Sequence, residues 1–251
     1  MTDHVVLWDF DGTLATRQGM WRGCLVEALS AVSPGHGVTG DDVGQWLNEG
    51  FPWHDPDAGH PSLDTPDLWW DALRPVLLNA YLRTGVGSAV ASQAAELVRG
   101  CYTDPTRWTV FPDTVAVLEE LAGTGWRHIV VSNHVPELDA LMEALGLRPY
   151  FEAVVNSALT GWEKPNPRIF EAALQQAGHP ERVWMVGDNP TADIAGAHAA
   201  GIPGILVAPD GTGLKSAVRQ IKSQTNRSAA PPASRSTAAF ASPSIPSAPT
   251  R

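Results

Sequence analysis

The chain has 251 residues and a mass of 26.8 kDa, enough for one large domain or for one domain with a smaller insertion. Hydrophobic residues make up 43% of it, so it can bury a core and is not disordered throughout. Acidic residues outnumber basic ones by 27 to 17, and the net charge of −10 argues against a general nucleic-acid-binding protein. No apolar stretch approaches the roughly 20 residues that a membrane-spanning helix needs.

The cysteine content indicates the redox compartment. Two cysteines, Cys24 and Cys101, are too few for a disulfide-stabilised secreted scaffold, and as small buried groups they fit a reducing environment. The first four residues have no basic region of the kind that begins a signal peptide. We therefore expect a soluble, cytoplasmic protein with no membrane and no nucleic-acid partner, either a monomer or a homodimer.

Short apolar runs predict buried strands of a parallel sheet. The first run covers residues 5–8, and the others cover residues 129–131, 153–155, 183–186 and 205–207. Helical patterns lie between the later strands, at residues 136–145, 167–177 and 191–200, and a glycine follows each of them. Strands and helices in alternation are typical of an α/β fold with a doubly wound, Rossmann-like parallel sheet.

A long segment with helical patterns follows the first strand. Helices are predicted at residues 18–32, 42–49, 66–83 and 88–101, and Thr65 before Pro66 is a typical helix start. The segment therefore predicts a helical module inserted into the α/β core. We expect a core of residues 1–16 and 104–222, a helical cap of residues 17–103, and a disordered tail of residues 223–251 that is rich in Ser, Ala and Pro.

Polar residues follow the predicted strands where those strands end. Parallel α/β sheets bind ligands at the carboxyl edge of their strands, so we expect these residues to share one site. The first strand is followed by Asp9, Asp11 and Thr13, the second by Ser132 and Asn133, and the fourth by Asp188 and Asp193, while Lys164 precedes the helix at residue 167.

These residue types favour phosphoryl transfer. Carboxylates brought close together repel one another, and a hard cation such as Mg²⁺, which keeps several waters, relieves the repulsion. A serine hydroxyl and a lysine ammonium are suited to the oxygens of a phosphate group. One aspartate would then act as the nucleophile and its neighbour as the acid and base.

Four short motifs in order resemble those of the haloacid dehalogenase-like (HAD) hydrolase superfamily. They begin at Asp9 (Asp-Phe-Asp-Gly-Thr-Leu), Ser132 (Ser-Asn), Lys164 (Lys-Pro) and Gly187 (Gly-Asp-Asn-Pro-Thr-Ala-Asp). The likeness covers roughly residues 5–208, and the predicted helical module corresponds to the helical cap that this superfamily carries between its first and second motifs. The resemblance implies a phosphatase that acts on a small phosphorylated metabolite.

The resemblance also implies a role for each residue. Asp9 would form an aspartyl-phosphate, and Asp11 would protonate the leaving oxygen and then activate water. Mg²⁺ would be held by Asp9, the backbone carbonyl of Asp11 and Asp188. The phosphoryl oxygens would be held by Ser132 and Lys164. Asn133 and Thr13 would bind substrate. Thr13 would either form a hydrogen bond with Asp11 or hold the turn. Asp193 would orient metal-bound water or Lys164.

The sequence argues against two other activities of this superfamily. Its dehalogenases lack the second aspartate of the first motif, which is present here as Asp11, and a phosphonoacetaldehyde hydrolase would need a cap lysine, whereas residues 1–163 contain none. A sugar phosphomutase and a non-catalytic protein that binds a phosphate ligand stay as alternatives. The cap tryptophans are expected mainly in the core, and the loop at residues 51–56 is a candidate for the substrate-facing edge.

Overall fold

The computed structural model describes residues 3–63 and 65–229, and side chains as far as residue 224. The strands are β1 His4–Trp8, β2 Ala15–Arg17, β3 Trp108–Val110, β4 Trp126–Ser132, β5 Ala153–Asn156, β6 Arg182–Gly187 and β7 Gly204–Leu206. The α-helices are α1 Met20–Val32, α2 Gly40–Gly44, α3 Pro66–Arg83, α4 Ser88–Thr103, α5 Thr114–Ala122, α6 Leu138–Ala144, α7 Ser157–Thr160, α8 Pro167–Gln176, α9 Gly196–Ala199 and α10 Leu214–Ala229.

Five parallel strands form the central sheet, in the order β5-β4-β1-β6-β7. Alternate residues of β1 pack into two separate hydrophobic clusters, with Val6 and Trp8 in one and Val5 and Leu7 in the other. Both faces of the sheet are therefore covered, as the continuous apolar runs predict. The Rossmann-like α/β fold predicted from the sequence is confirmed.

The helices α1 to α4 lie between β1 and β4 in the chain, where the sequence predicts an inserted module. A small antiparallel pair, β2 with β3, joins the two ends of this segment, which the apolar pattern did not predict. The helix α3 has the predicted bounds because the Thr65 side chain accepts a hydrogen bond from the backbone N–H of Leu68 and caps it. The domain boundaries at residues 16/17 and 103/104 remain a proposal.

Two helix predictions and the predicted start of the tail differ from the structure. The helix predicted at residues 42–49 ends at Gly44, and turns with i to i+3 hydrogen bonds follow it, including the bond from Trp46 N to Val43 O. The helix predicted at residues 191–200 consists of a π-helical turn, Pro190–Ala195, followed by α9. The helix α10 extends to Ala229, past residue 223, where the tail was expected to begin, and the rest of that tail lies outside the described residues.

Among the described residues, no helix combines the length and the apolar character that crossing a membrane requires.

Candidate active site

The central strands bring the predicted site residues to one edge of the sheet. Asp9 directly follows β1, Ser132 is the last residue of β4, and Asp188 directly follows β6. Because β1 pairs with both β4 and β6, the three side chains start from adjacent positions. The convergence expected from the sequence is therefore present in the structure.

A buried network of hydrogen bonds holds Asp9. Its Oδ1 atom accepts hydrogen bonds from Ser132 Oγ at 2.9 Å and from Lys164 Nζ at 2.7 Å. Lys164 Nζ also donates to Asp193 Oδ1 at 2.5 Å. Burial alone would lower the pKa of Lys164, but the carboxylates of Asp193 and Asp9 raise it above its ordinary value. The lysine is therefore a permanent cation between two carboxylates.

Asn133 holds the backbone of Lys164. Its side-chain nitrogen donates to the carbonyl oxygen of Lys164 at 2.9 Å, and its side-chain oxygen accepts from the N–H of Lys164 at 2.7 Å. Asn133 also lines the cleft beside the carboxylates. The predicted role in substrate binding stays a prediction, and the structure adds that Asn133 positions Lys164.

Three carboxylates form a group that can hold a metal ion. Oxygen atoms of Asp9, Asp188 and Asp193 lie within 4.8 Å of one another. Burial, followed by repulsion from Asp9, raises the pKa of Asp188 to about 7, and burial raises that of Asp193 to about 6 against the opposing effect of Lys164. Such an all-oxygen donor set fits a divalent cation, which would relieve the repulsion. The side chain of Asp11 is not in this group, and the resemblance assigns it only a backbone ligand.

Gly12 leaves room for this group. A Cβ atom at Gly12 would lie 2.5 Å from Asp188 Oδ2, and the φ angle of +77° is one that other residues rarely adopt. A glycine is therefore required at position 12, where the chain that follows β1 approaches the carboxylate of Asp188.

Asp11 lines the cleft, and buried aromatic side chains lie beside its carboxyl group. Burial, and then repulsion from Asp9, raise the pKa of the Asp11 carboxyl well above its ordinary value. Its Oδ1 atom has no hydrogen-bond partner among the described residues, and His134 Nε2 lies 3.6 Å away. His134 is fully buried against Phe10 and Tyr102, which lowers the pKa of its ring to about 4.

Thr13 is fully buried, and its hydroxyl has no partner among the described residues. The structure shows no hydrogen bond from Thr13 to Asp11, and the alternative, that Thr13 belongs to the turn, is consistent with its burial. Thr13 does not line the cleft, so its predicted contact with substrate stays a prediction.

The cap contributes apolar side chains to the cleft. This cavity of about 420 Å³ is lined on the cap side by Met20, Trp21 and Trp53. Trp53 belongs to the loop that the sequence singled out as a substrate-facing edge, whereas Phe51 of the same loop is buried. Trp21 was missed, because a tryptophan in a helical pattern resembles an ordinary core residue.

A cap segment also contacts the loop that carries Lys164. His60 Nε2 lies 2.9 Å from Glu163 Oε1, and the N–H of His60 donates to the carbonyl oxygen of Gly161 at 2.8 Å. Asn166 Nδ2 donates to the carbonyl oxygen of Pro56 at 3.1 Å. The sequence offered no signal for this contact, because its two sides lie about a hundred residues apart in the chain.

The fold, the helical insertion and the carboxylate–lysine cluster define the class of this protein. A sequence model of haloacid dehalogenase-like hydrolases matches residues 4–201. The chain therefore belongs to the haloacid dehalogenase-like hydrolase family.

Individual relatives agree with this assignment. The human haloacid dehalogenase-like hydrolase domain-containing protein 3 is 37% identical over 57% of each chain, so that match spans little more than half of the relative's length. Its mouse counterpart is 31% identical over 86% of each. The phosphoserine phosphatase of Thermus thermophilus is 31% identical over 62% of this chain and 68% of its own length.

Among solved structures, the 2-haloacid dehalogenase of Pseudomonas syringae is 24% identical with a TM-score of 0.58. The match covers 91% of this chain and 100% of that one. This likeness shows the shared fold.

Proposed function

We propose that the protein is a Mg²⁺-dependent phosphomonoester hydrolase that forms an aspartyl-phosphate on Asp9 and acts on a small phosphorylated metabolite. The observation that carries this proposal is the pair of hydrogen bonds from Ser132 and Lys164 to Oδ1 of Asp9. Both donors bind the same oxygen, so Oδ2 is left for bonding to phosphorus. The name of the Thermus thermophilus relative, a phosphoserine phosphatase, supports the reaction class.

The proposed first half-reaction uses Asp9 and Asp11. A carboxylate oxygen of Asp9 attacks phosphorus, the bond between phosphorus and the leaving oxygen breaks, and Asp11 donates its proton to that oxygen. The raised pKa of Asp11 supports this role, because burial and the charge of Asp9 favour the protonated form, from which the carboxyl can donate. Lys164 offsets the negative charge that gathers around Asp9.

The proposed second half-reaction regenerates the enzyme. Asp11, now a carboxylate, takes a proton from water as the water attacks phosphorus, and the bond between phosphorus and Asp9 breaks. The residues that would hold Mg²⁺ are Asp9, Asp188 and the backbone carbonyl of Asp11, with Asp193 beside them. The cation would supply charge neutralisation for the phosphoryl oxygens.

Release of inorganic phosphate tests the proposal. The full chain is incubated with a panel of phosphorylated metabolites with Mg²⁺ and with EDTA, and we expect turnover that EDTA abolishes and Mg²⁺ restores. Borohydride reduces an acyl phosphate to an alcohol, so trapping followed by peptide mass spectrometry should convert Asp9 to homoserine. A product that is an isomeric sugar phosphate without free phosphate would favour the phosphomutase alternative, and unchanged activity in EDTA would overturn the metal dependence.

A further inference from the structure

The cap side of the cleft is a preformed aromatic wall. The ring of Trp53 stacks on buried Phe51 with centroids 4.5 Å apart, and the ring of Trp21 stacks on buried Tyr102 at 4.2 Å. The two tryptophans lie 5.9 Å from each other and are tilted by 40°. This spacing leaves no slot between them, so they present one continuous surface to the cleft. Each ring is supported from behind by another ring, and the wall does not depend on substrate for its shape.

The opposite side of the cleft is acidic. It carries the carboxylates of Asp9, Asp11, Asp188 and Asp193, and Lys164 is the one Lys or Arg side chain that lines the cleft within the described part of the chain. Both hydrogen bonds that Lys164 Nζ donates go to carboxylates of this cluster. The positive charge of Lys164 is therefore already paired with the carboxylates of Asp9 and Asp193, where the phosphate would react.

Arginines close in sequence to the aromatic wall are engaged elsewhere. Arg17 is buried and forms an ion pair with Glu27, and Arg22 forms one with Asp41. A carboxylate on the leaving group of a substrate would therefore find no Lys or Arg side chain of the described cleft left to pair with it, because Lys164 already bonds to Asp9 and Asp193. The loss of hydration would oppose its binding.

We propose that the substrate is a phosphomonoester whose leaving group carries a flat, uncharged ring and no second anionic group, and that Trp53 and Trp21 determine this specificity. The inference rests on the phosphatase activity proposed above. A flat ring placed on the exposed faces of the two indoles gains stacking and buries apolar area, whereas a short charged leaving group gains neither. The cleft of about 420 Å³ falls in the size range of small-molecule sites.

Four substrates separate the effect of the ring from that of the charge. Benzyl phosphate has the ring alone, 4-carboxybenzyl phosphate has both, ethyl phosphate has neither, and 2-phosphoglycolate has the charge alone. All four release an alkoxide, so a need for acid catalysis is common to them. We expect kcat/KM to be highest for benzyl phosphate, by about tenfold or more over each of the others, which corresponds to about 1.4 kcal/mol.

Variants of Trp53 test whether the aromatic wall causes the preference for a leaving group with a ring. Trp53→Leu should lower kcat/KM for benzyl phosphate about tenfold and change that for ethyl phosphate less than twofold, because only the stacking is removed. Trp53→Phe keeps a ring and should retain most of the preference. Trp46→Leu is the matched control, since this cap tryptophan does not line the cleft, and it should leave the ratio of the two substrates unchanged.

The outcomes distinguish this inference from the proposed function. A higher kcat/KM for 2-phosphoglycolate than for benzyl phosphate, or an equal loss for both neutral substrates in Trp53→Leu, would overturn the ring preference. Hydrolysis of acetyl phosphate without faster turnover of benzyl than of ethyl phosphate would also overturn it, while the phosphatase activity would stand. Absence of turnover of all five compounds would count against the proposed function itself and against the inference that depends on it.

Discussion

At the scale of single residues, Asp9 is the group on which the proposed chemistry depends most. Asp9→Asn is nearly isosteric and keeps an oxygen for the donors Ser132 and Lys164, but the amide is a poor nucleophile. We expect phosphate release to fall by a factor of about 10³ or more, as for other residues essential to covalent catalysis. The thermal midpoint, measured by calorimetry, should change little. Retention of more than a few per cent of the activity would remove Asp9 from this role.

The contribution of Asp11 to catalysis should depend on the acidity of the leaving group. Asp11→Asn cannot donate a proton to an alkoxide, whereas a nitrophenolate leaves without one. We expect the loss in kcat/KM to be about tenfold larger for an alkyl phosphate than for p-nitrophenyl phosphate, and we expect kcat to fall for both because Asp11 also acts as the base. Equal losses for the two substrates would mean that Asp11 acts mainly as the base or as support for the metal.

The carboxylates of the metal group predict a pH dependence of metal binding. The pKa of Asp188 is raised to about 7 and that of Asp193 to about 6. Below these values the groups hold protons that a cation must displace, so the apparent affinity for Mg²⁺ should fall as the pH drops from 8 to 6. Raised acid pKa values also mean that the metal-free fold binds more protons than the unfolded chain, so its stability falls as the pH rises through this range.

The thermal midpoint checks this prediction without measuring activity. Millimolar Mg²⁺ should raise the midpoint by more at pH 8 than at pH 6, because a cation that binds the native state more tightly stabilises it more. Asp188→Asn should reduce the shift at both pH values. A shift that is equal at the two pH values would show that these carboxylates do not control binding.

At the scale of elements, the contact between the cap and the Lys164 loop predicts a cost in stability. Glu163 is 1% exposed, and its Oε2 atom has no partner among the described residues, so His60→Ala would leave the other oxygen without one as well. Leaving a buried polar group without its hydrogen-bond partner costs about 1–3 kcal/mol, and more for a charged group. We expect the thermal midpoint to fall by several degrees.

A double variant separates this pair from a general packing loss. In His60→Ala/Glu163→Gln the buried charge is gone, so the double variant should be more stable than His60→Ala alone. Arg74→Ala is the control, because it removes ion pairs on an exposed surface and should change the midpoint little. If the double variant were the less stable of the two, the contact would not act through the charge of Glu163.

At the scale of the whole molecule, the predicted site residues and the described helix α10 lie before residue 230. Every predicted site residue lies before Ile194, and α10 packs through Leu214, Val218 and Ile221. A chain that ends at Ala229 keeps all of these residues, so we expect its kcat/KM and its thermal midpoint to match those of the full chain. A midpoint lower by several degrees, or a tenfold loss in kcat/KM, would show that residues 230–251 belong to the working protein.

The sequence by itself determined the five strands of the central sheet, the helix α3 and the convergence of the predicted site residues. Helix caps such as Thr65 and buried apolar runs act over a few residues, so they can be identified without the fold. The proximity of Asp9, Ser132 and Asp188 could be predicted because each lies at the carboxyl end of a strand. The carboxyl ends of parallel strands meet at one edge of the sheet.

The tertiary structure decided which cap residues face the cleft. Trp21 and Trp53 come from different elements and form one wall only because Phe51 and Tyr102 support them from behind. The pairing of β2 with β3 joins segments about ninety residues apart, and each strand has three residues, too short for a recognisable pattern. Periodicity reports that a side chain is buried but not which partner buries it, so contacts across the insertion become visible only in the folded chain.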